Sequence, residues 1–401
     1  MIRFFRAVAP LVLVLSACAP QTPPVTATKP LPAPKPVATA NAATAGVKAG
    51  PTLETLPGWQ AGAPAALNAF RISCPPLLKR TDRSGLTRGE DWRAACTAAA
   101  TAADPVAFFQ QYFETAVVAG GEAFLTGYYE PEISGSRTPG PGYAVPIYRR
   151  PPDLIDVDLG LFSNDLKSKK IRGRVDKQAF VPYYDRAAID DGALIGKGLE
   201  IAWAADPIEL FFLQIQGSGR LKLPDGQTMQ IGYDSQNGRD YVALGRTLRD
   251  RGVLAPGEAT MDGIIRWLRT NPDEGRALMR QNKSYVFFRE LKGPGPLGAL
   301  EVPLTPAGSV AADPAFMPLG APLWLGEGPL GLERIWVAQD TGGAIKGANR
   351  FDTFWGAGDD ARRIAGGMSA SARAVLLLPR GTLGRLAGGA GSNTDATAAK
   401  P

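Results

Sequence analysis

The sequence predicts a mainly β protein with some helices, built as two domains, the later part of the chain forming a small β-barrel. Three observations carry this. After Ser284 the chain becomes short apolar runs cut by Gly and Pro: Tyr285-Val-Phe-Phe, Leu323-Trp-Leu, Ile335-Trp-Val and Val375-Leu-Leu-Leu. That spacing suits a barrel of short strands. The stretch from about 53 to 380 is long enough for two domains. The segment from about 136 to 284 has a mixed texture, with neither strand nor helix period prevailing.

In chain order, Met-Ile-Arg-Phe-Phe-Arg is a positive start, and Ala7 to Ala17 is a short apolar stretch. It falls well below the ~20 residues of a membrane span. Leu15-Ser16-Ala17-Cys18 puts small residues before a cysteine and resembles a bacterial lipoprotein signal, which implies cleavage of residues 1–17 and lipidation of Cys18. Ala19 follows the cysteine where no aspartate does, so the resemblance implies an outer-membrane lipoprotein facing the periplasm. Residues 18–52, rich in Pro, Ala and Thr, predict an extended tether that could reach roughly 100 Å. The Gly/Ala/Thr-rich tail 381–401 is expected to be disordered.

Asp104-Pro105 predicts a helix start, with Val106, Phe109, Tyr112 and Phe113 on one face. Phe124-Leu-Thr-Gly-Tyr-Tyr-Glu-Pro then reads as a strand. Gly198 to Trp203 is a second strand, and Asp206-Pro207 opens a helix through Phe211 and Phe212. Gln214-Ile-Gln-Gly-Ser-Gly-Arg220 and Pro224-Asp-Gly predict a turn-rich hairpin. Tyr241, Leu244 and Leu248 have helical spacing, and another helix is expected around Ile264, Trp267 and Leu268.

Cys74 and Cys96 are the only cysteines besides Cys18. In an oxidising compartment two such thiols of one exported domain usually pair, so a disulfide is expected. The chain contains no histidine. That excludes serine–histidine and cysteine–histidine catalysis and histidine–zinc sites, and leaves acid–base chemistry to carboxylates, lysine, tyrosine or a thiol. Net charge is +6, and about +4 once Arg3 and Arg6 leave with the signal. A mildly basic surface is compatible with an anionic polymer. Export disfavours nucleic acid as a partner.

Val337-Ala-Gln-Asp-Thr-Gly-Gly-Ala-Ile-Lys-Gly-Ala-Asn-Arg-Phe-Asp352 carries the most chemistry. The strand from Arg334 runs into a loop whose Gly342, Gly343 and Gly347 can take positive φ or admit a close neighbour. Two aspartates, Asp340 and Asp352, bracket it, each on rigid structure yet open to a ligand. Asp340-Thr-Gly also occurs in aspartic proteases, but those need two facing loops sharing a proton, and this chain has one.

Asp313-Pro-Ala-Phe-Met-Pro-Leu-Gly, Asp340-Thr-Gly-Gly-Ala-Ile-Lys-Gly and Arg350-Phe-Asp352 together resemble the domain named for its three aspartates, a double-psi β-barrel. Upstream, Leu125-Thr-Gly-Tyr-Tyr-Glu-Pro, Phe212-Leu-Gln-Ile-Gln-Gly-Ser-Gly, Asn282-Lys-Ser-Tyr-Val-Phe-Phe and Pro303-Leu-Thr-Pro are similar to membrane-bound lytic transglycosylase A (MltA). The likeness runs from roughly 66 to 380 in the right order. It implies a barrel from residues 53–135 and 286–380, an inserted second β-rich domain at 136–285, and a substrate groove between them. It also implies a lyase that cleaves the β-1,4 bond between N-acetylmuramic acid and N-acetylglucosamine, leaving 1,6-anhydro ends.

On that resemblance Asp352 is the catalytic acid and Asp340 its catalytic support, while Asp313 is structural. Tyr128, Tyr129, Gln214, Gln216, Ser218, Lys346 and Arg350 are expected to contact substrate: aromatics stack on sugars, amides bond N-acetyl and hydroxyl groups, cations meet carboxylates. Glu130 and Glu132 need watching, because a second carboxylate in the groove would allow hydrolysis. An inverting glycoside hydrolase and a non-catalytic wall-binding protein are the competing readings. The expected partners are peptidoglycan glycan strands and the outer membrane, through the lipid anchor. Cell-wall synthases or division proteins are the partner classes such an enzyme would work beside. A monomer without cofactor or metal is expected.

Overall fold

The computed structural model describes residues 41–390, apart from Ser168, Pro256, Gly257, Ala259 and 329–331. The signal, Cys18, most of the tether and residues 391–401 of the tail lie outside the described residues.

Six strands carry the barrel domain, and their pairings come round to where they begin. Glu122–Glu130 pairs in parallel with Arg350–Ala357, which runs antiparallel to Ser309–Ala312. The latter lies parallel to Arg334–Asp340, followed by Pro322–Gly326 and Ser369–Pro379, both antiparallel. Ser369–Pro379 then returns antiparallel to Glu122–Glu130. Val47–Ala49 and Phe113–Val118 extend this sheet. Residues 309–312, 322–326 and 335–339 are buried throughout, as continuous apolar strands covered on both faces require. Trp324 and Trp336, on opposite faces of neighbouring strands, are both fully buried.

The helices Ala63–Leu77, Arg93–Ala99 and Pro105–Tyr112 cover one side. Phe70 of the first meets Trp92, Phe108 and Phe113 at centroid distances of 5.5 to 6.1 Å. Asp104 caps the third, accepting from Val106 N at 2.9 Å and Ala107 N at 3.1 Å. A disulfide between Cys74 and Cys96, with Cα atoms 5.5 Å apart, joins the first helix to the second.

A second, six-stranded sheet has the order Val286–Glu290, Thr228–Gln236, Ser218–Lys222, Glu132–Ser136, Glu200–Ala204 and Val145–Tyr148. The helix Pro207–Gln216 packs against it, and Leu210 and Leu213 join its core with Ile231 and Phe288. A separate three-stranded sheet comprises Ile155–Asp158, Lys170–Asp176 and Ala179–Pro182.

Four boundaries differ from the sequence reading. Val286–Glu290, expected in the barrel, belongs to the second sheet, because its partner is Thr228–Gln236. The expected tether is already structured at residues 41–52, where Val47–Ala49 pairs with Phe113–Val118. The expected disordered tail begins as a helix, Thr382–Ala390, with Leu383 and Leu386 against the barrel core. Gln214 and Gln216, read as part of a hairpin, occupy the last turn of Pro207–Gln216, which ends at Gly217 with φ +82°. The hairpin itself begins one residue later, at Ser218.

Candidate active site

The site is built on two parallel barrel strands. Asp352 lies beside Thr126, and Phe354 beside Tyr128. Alternation puts Thr126, Tyr128, Asp352 and Phe354 on one face, while Leu125 and Phe351 enter the main core on the other. Two structural devices hold this face. Gly127 lets the helix Asp359–Gly366 approach closely, since a Cβ there would lie 2.8 Å from Ala365 Cα. Gln339, fully buried, donates to Ala69 O at 3.0 Å and Ser73 Oγ at 2.9 Å and accepts from Ser309 Oγ, which fixes the strand end just before Asp340.

The Thr126 hydroxyl donates to Asp352 Oδ1 at 2.6 Å and accepts from Arg350 Nη2 at 2.9 Å. The guanidinium therefore orients the hydroxyl hydrogen towards the carboxylate. Arg350 also lies 5.1 Å over the Phe124 ring. The hydrogen bonds found among the described residues engage only one oxygen of Asp352. Burial raises the Asp352 pKa, against smaller lowering effects from the Thr126 bond and the Arg350 charge.

Asp340 accepts from Thr341 N at 2.8 Å, Ala299 N at 3.0 Å and Tyr128 OH at 3.0 Å. Burial still pushes its pKa up to about 6, and the Asp352 charge adds to that. Neither aspartate forms an ion pair with a described Lys or Arg. The two carboxylates also act together on Tyr128, whose pKa is raised first by burial and then by both charges.

The other predicted residues divide into those at this face and those away from it. Arg350 is at the site, as a buttress of Thr126. Tyr128 is buried, packs 5.2 Å from Phe354 and spends its hydroxyl on Asp340, so it holds a carboxylate and offers little ring face to a sugar. Tyr129 points the other way: it is buried beside Ala361 and Ala365, with its hydroxyl 3.5 Å from Met261 Sδ. Gln216 accepts from Tyr129 N at 3.2 Å and so ties the insert helix to the barrel strand. Gln214 is buried within the insert domain, and Ser218 is buried at the start of its strand. Lys346 is exposed on the loop after Asp340. Within that loop Gly347 takes φ +94°, whereas Gly342 is needed for space, since a Cβ would meet Ile345 at 2.6 Å.

Asp313 accepts from Ala315 N at 3.0 Å and from Gly347 N at 2.8 Å. It closes its own turn and staples the Asp340–Asp352 loop to the barrel. Glu130 is 1% exposed and bound by Arg220 Nε and Gln230 Nε2, each at 2.8 Å, while Glu132 pairs with Lys222. Both carboxylates are thus committed to structure. Among the described residues, no cluster of acidic or thiol groups is placed to hold a metal ion.

Sequence reasoning missed two residues. Thr126 was visible by period, two positions before Tyr128 on the same strand. Tyr241 was read as a helix position but precedes the helix Leu244–Asp250. Partial burial raises its pKa and the Asp352 charge raises it further, although the residue stays 38% exposed. Its segment is held by Asn282 Oδ1, which accepts from Val242 N at 3.1 Å, and by Arg239 Nε donating to Tyr183 O at 2.9 Å.

The fold and site thus define a two-domain protein: a barrel bearing two carboxylates without ion-pair partners among the described residues, and an inserted sheet domain. The MltA specific insert domain matches residues 124–289, and the 3D domain matches residues 308–378. The membrane-bound lytic murein transglycosylase A of Vibrio cholerae is 29% identical over 281 residues, covering 66% of this chain and 68% of that protein. The Escherichia coli K12 protein of the same name is 34% identical over 259 residues. That match covers 61% of this chain and 63% of the relative, just under two thirds of its length. The solved membrane-bound lytic murein transglycosylase from Agrobacterium tumefaciens superposes with a TM-score of 0.77 at 33% identity, over 85% of this chain and 99% of that one. For MltA from Neisseria gonorrhoeae in a monoclinic form the values are 0.71, 36%, 88% and 97%. For E. coli MltA with bound chitohexaose they are 0.61, 27%, 80% and 90%. The chain belongs to the family of lytic transglycosylases named membrane-bound lytic murein transglycosylase A.

Proposed function

We propose that this protein cleaves the β-1,4 bond between N-acetylmuramic acid and N-acetylglucosamine in peptidoglycan and leaves 1,6-anhydro ends, with Asp352 as the single acid and base. The observation that carries this is the Asp352 carboxyl: burial raises its pKa, Thr126 holds one oxygen, and no hydrogen bond among the described residues engages the other. A raised pKa keeps the proton available for a poor leaving group near neutral pH.

In the first step the Asp352 proton passes to the glycosidic oxygen as the C1–O bond breaks. The substrate's N-acetyl group can stabilise the resulting cationic centre, as in substrate-assisted glycosidases. The ionised Asp352 then takes the proton of the sugar's C6 hydroxyl, and that oxygen bonds to C1. The acid is regenerated and no water is consumed. Asp340, held by Tyr128 and two backbone amides, is the supporting carboxyl, and the Asp352 charge adds to the burial that raises its pKa. Because Glu130 and Glu132 are tied up in ion pairs, they supply no second carboxylate for an inverting hydrolase. Lys346 and Arg350 are candidates to meet the substrate's carboxylates. The E. coli relative solved with chitohexaose supports a β-1,4-linked amino-sugar chain as the ligand class.

No helix among the described residues is long and apolar enough to cross a membrane. The membrane association in the relatives' names fits a lipid on Cys18, which would make this an outer-membrane lipoprotein facing the periplasm. Mass spectrometry of the products released from purified sacculi tests the activity. Anhydro-terminated muropeptides are expected; reducing ends would overturn the lyase reading in favour of hydrolysis, and binding without products would leave a wall-binding protein.

A further inference from the structure

The three-stranded sheet is amphipathic with its polarity inverted. Direct pairing places Ile155 beside Gly173 and Pro182, Val157 beside Ile171, and Val175 beside Phe180. One face is therefore wholly apolar. The opposite face carries Asp156, Asp158, Arg172 and Arg174, and this charged face meets the body of the protein. Arg172 Nη1 donates to Tyr233 OH and Gln236 O, both at 3.3 Å, and the Arg174 guanidinium lies 4.5 Å over the Tyr184 ring.

The apolar face points outward. Val175 is 59% exposed, and Ile155, Ile171 and Phe180 are exposed too. At the end of the first strand, Leu161 and Phe162 are 86% and 76% exposed. Scattered surface apolar residues need no explanation, but a contiguous exposed patch of this kind marks an interaction surface. Lys167 and Lys169 lie between the first and second strands, after Asp165, and are exposed. Among the described residues neither forms an ion pair, whereas Lys170, 3.8 Å from Asp158, belongs to the charged face.

We infer that this sheet rests on an anionic phospholipid bilayer, with Leu161 and Phe162 inserted at the acyl boundary and the lysines against the headgroup phosphates. Charge complementarity selects this occupant. Aliphatic and phenyl side chains beside a lysine rim are what interfacial membrane binding requires, and each such cation near an anionic surface adds attraction. A sugar-binding face would instead need amides and hydroxyls among its aromatics, and this face has none. Reach allows this: the stretch from Cys18 to Asn41, fully extended, spans about 80 Å at most, so a lipid on Cys18 would hold the chain near a bilayer. That last argument rests on the Cys18 reading; the inverted sheet does not.

With Cys74 and Cys96 bonded and Cys18 acylated, a Leu161→Cys variant of the full chain offers one thiol for a polarity-sensitive fluorophore. Lys48→Cys, on an exposed barrel-sheet residue, is the control. In vesicles containing phosphatidylglycerol the Leu161 probe is expected to shift to the blue and to be quenched by brominated lipid, while the Lys48 probe stays unchanged. In phosphatidylcholine alone, or with Lys167→Glu and Lys169→Glu added, the quenching should fall about tenfold. A Leu161 probe that stays water-exposed in anionic vesicles would overturn the inference. So would a blue shift without lipid that grows with protein concentration, which would show a second copy covering the face.

Discussion

The barrel's border with the insert and its carboxylate face bury acids in opposite ways. Glu130, the last residue of the barrel strand Glu122–Glu130, is almost fully enclosed, but an arginine and an amide from the insert sheet satisfy it directly. On the carboxylate face, Asp340 and Asp352 are partly accessible yet hold only hydroxyl and backbone donors, and their pKa values rise. Depth alone therefore does not mark a reactive carboxylate. What marks it is burial without a partner of opposite charge, because only then is the neutral acid favoured enough to carry a proton.

The largest effect expected from this contrast is on turnover. Asp352→Asn keeps the size of the side chain and its bond to Thr126 but cannot supply a proton. Muropeptide release should fall at least 10³-fold, the scale of general acid loss, with melting temperature and sacculus binding unchanged. Activity near that of the wild type would remove Asp352 from the mechanism.

Glu130→Ala should do the reverse. It leaves Arg220 and Gln230 without their shared acceptor, at a cost of about 3 kcal/mol in stability, while turnover per folded molecule stays close to normal. A variant that remains fully stable but inactive would place Glu130 in the chemistry and reopen the hydrolase reading.

Asp340→Asn tests the second barrel carboxylate through pH. A carboxylate whose folded pKa is raised gives stability that is complete below its unfolded pKa and is lost as pH rises through the folded value. For Asp340 that loss falls between about pH 4 and about pH 6. Asparagine cannot ionise, its oxygen can keep the Ala299 and Thr341 amides, and its nitrogen faces a Tyr128 hydroxyl free to turn and accept. The variant should therefore gain up to about 3 kcal/mol over wild type at pH 8 and nothing at pH 4. A gain independent of pH would show that Asp340 is not the titrating group.

Much of this contrast was legible in the sequence, for definable reasons. The barrel strands were apparent because their β-formers run between glycines and prolines, and Asp352 because its motif is long and specific. Sheet membership was not. Val286–Glu290 reads like any buried strand, and only its pairing with Thr228–Gln236 assigns it to the insert. Nor could adjacency separate Tyr128 from Tyr129. Strand alternation sends neighbours to opposite faces, but which face meets Asp340 depends on the parallel register with Arg350–Ala357. Gln214 failed for a related reason: the helix from Pro207 continues through it, turning an expected surface amide inward.

The smallest effect concerns the link between the two aspartates. Tyr128→Phe removes the hydroxyl that donates to Asp340 Oδ2 and leaves the packing on Phe354 intact. That bond favours the carboxylate, so without it the folded pKa of Asp340 rises further. More stability is then lost between acid and neutral pH. The variant should melt below the wild type at pH 8 by an amount worth about 1 kcal/mol, and the gap should narrow towards pH 4, where Asp340 is neutral in both proteins. Turnover should fall only a few-fold, since Asp352 keeps its own bond to Thr126. Equal destabilisation at both pH values would reduce Tyr128 to a packing residue and break the coupling between the phenol and the Asp340 charge.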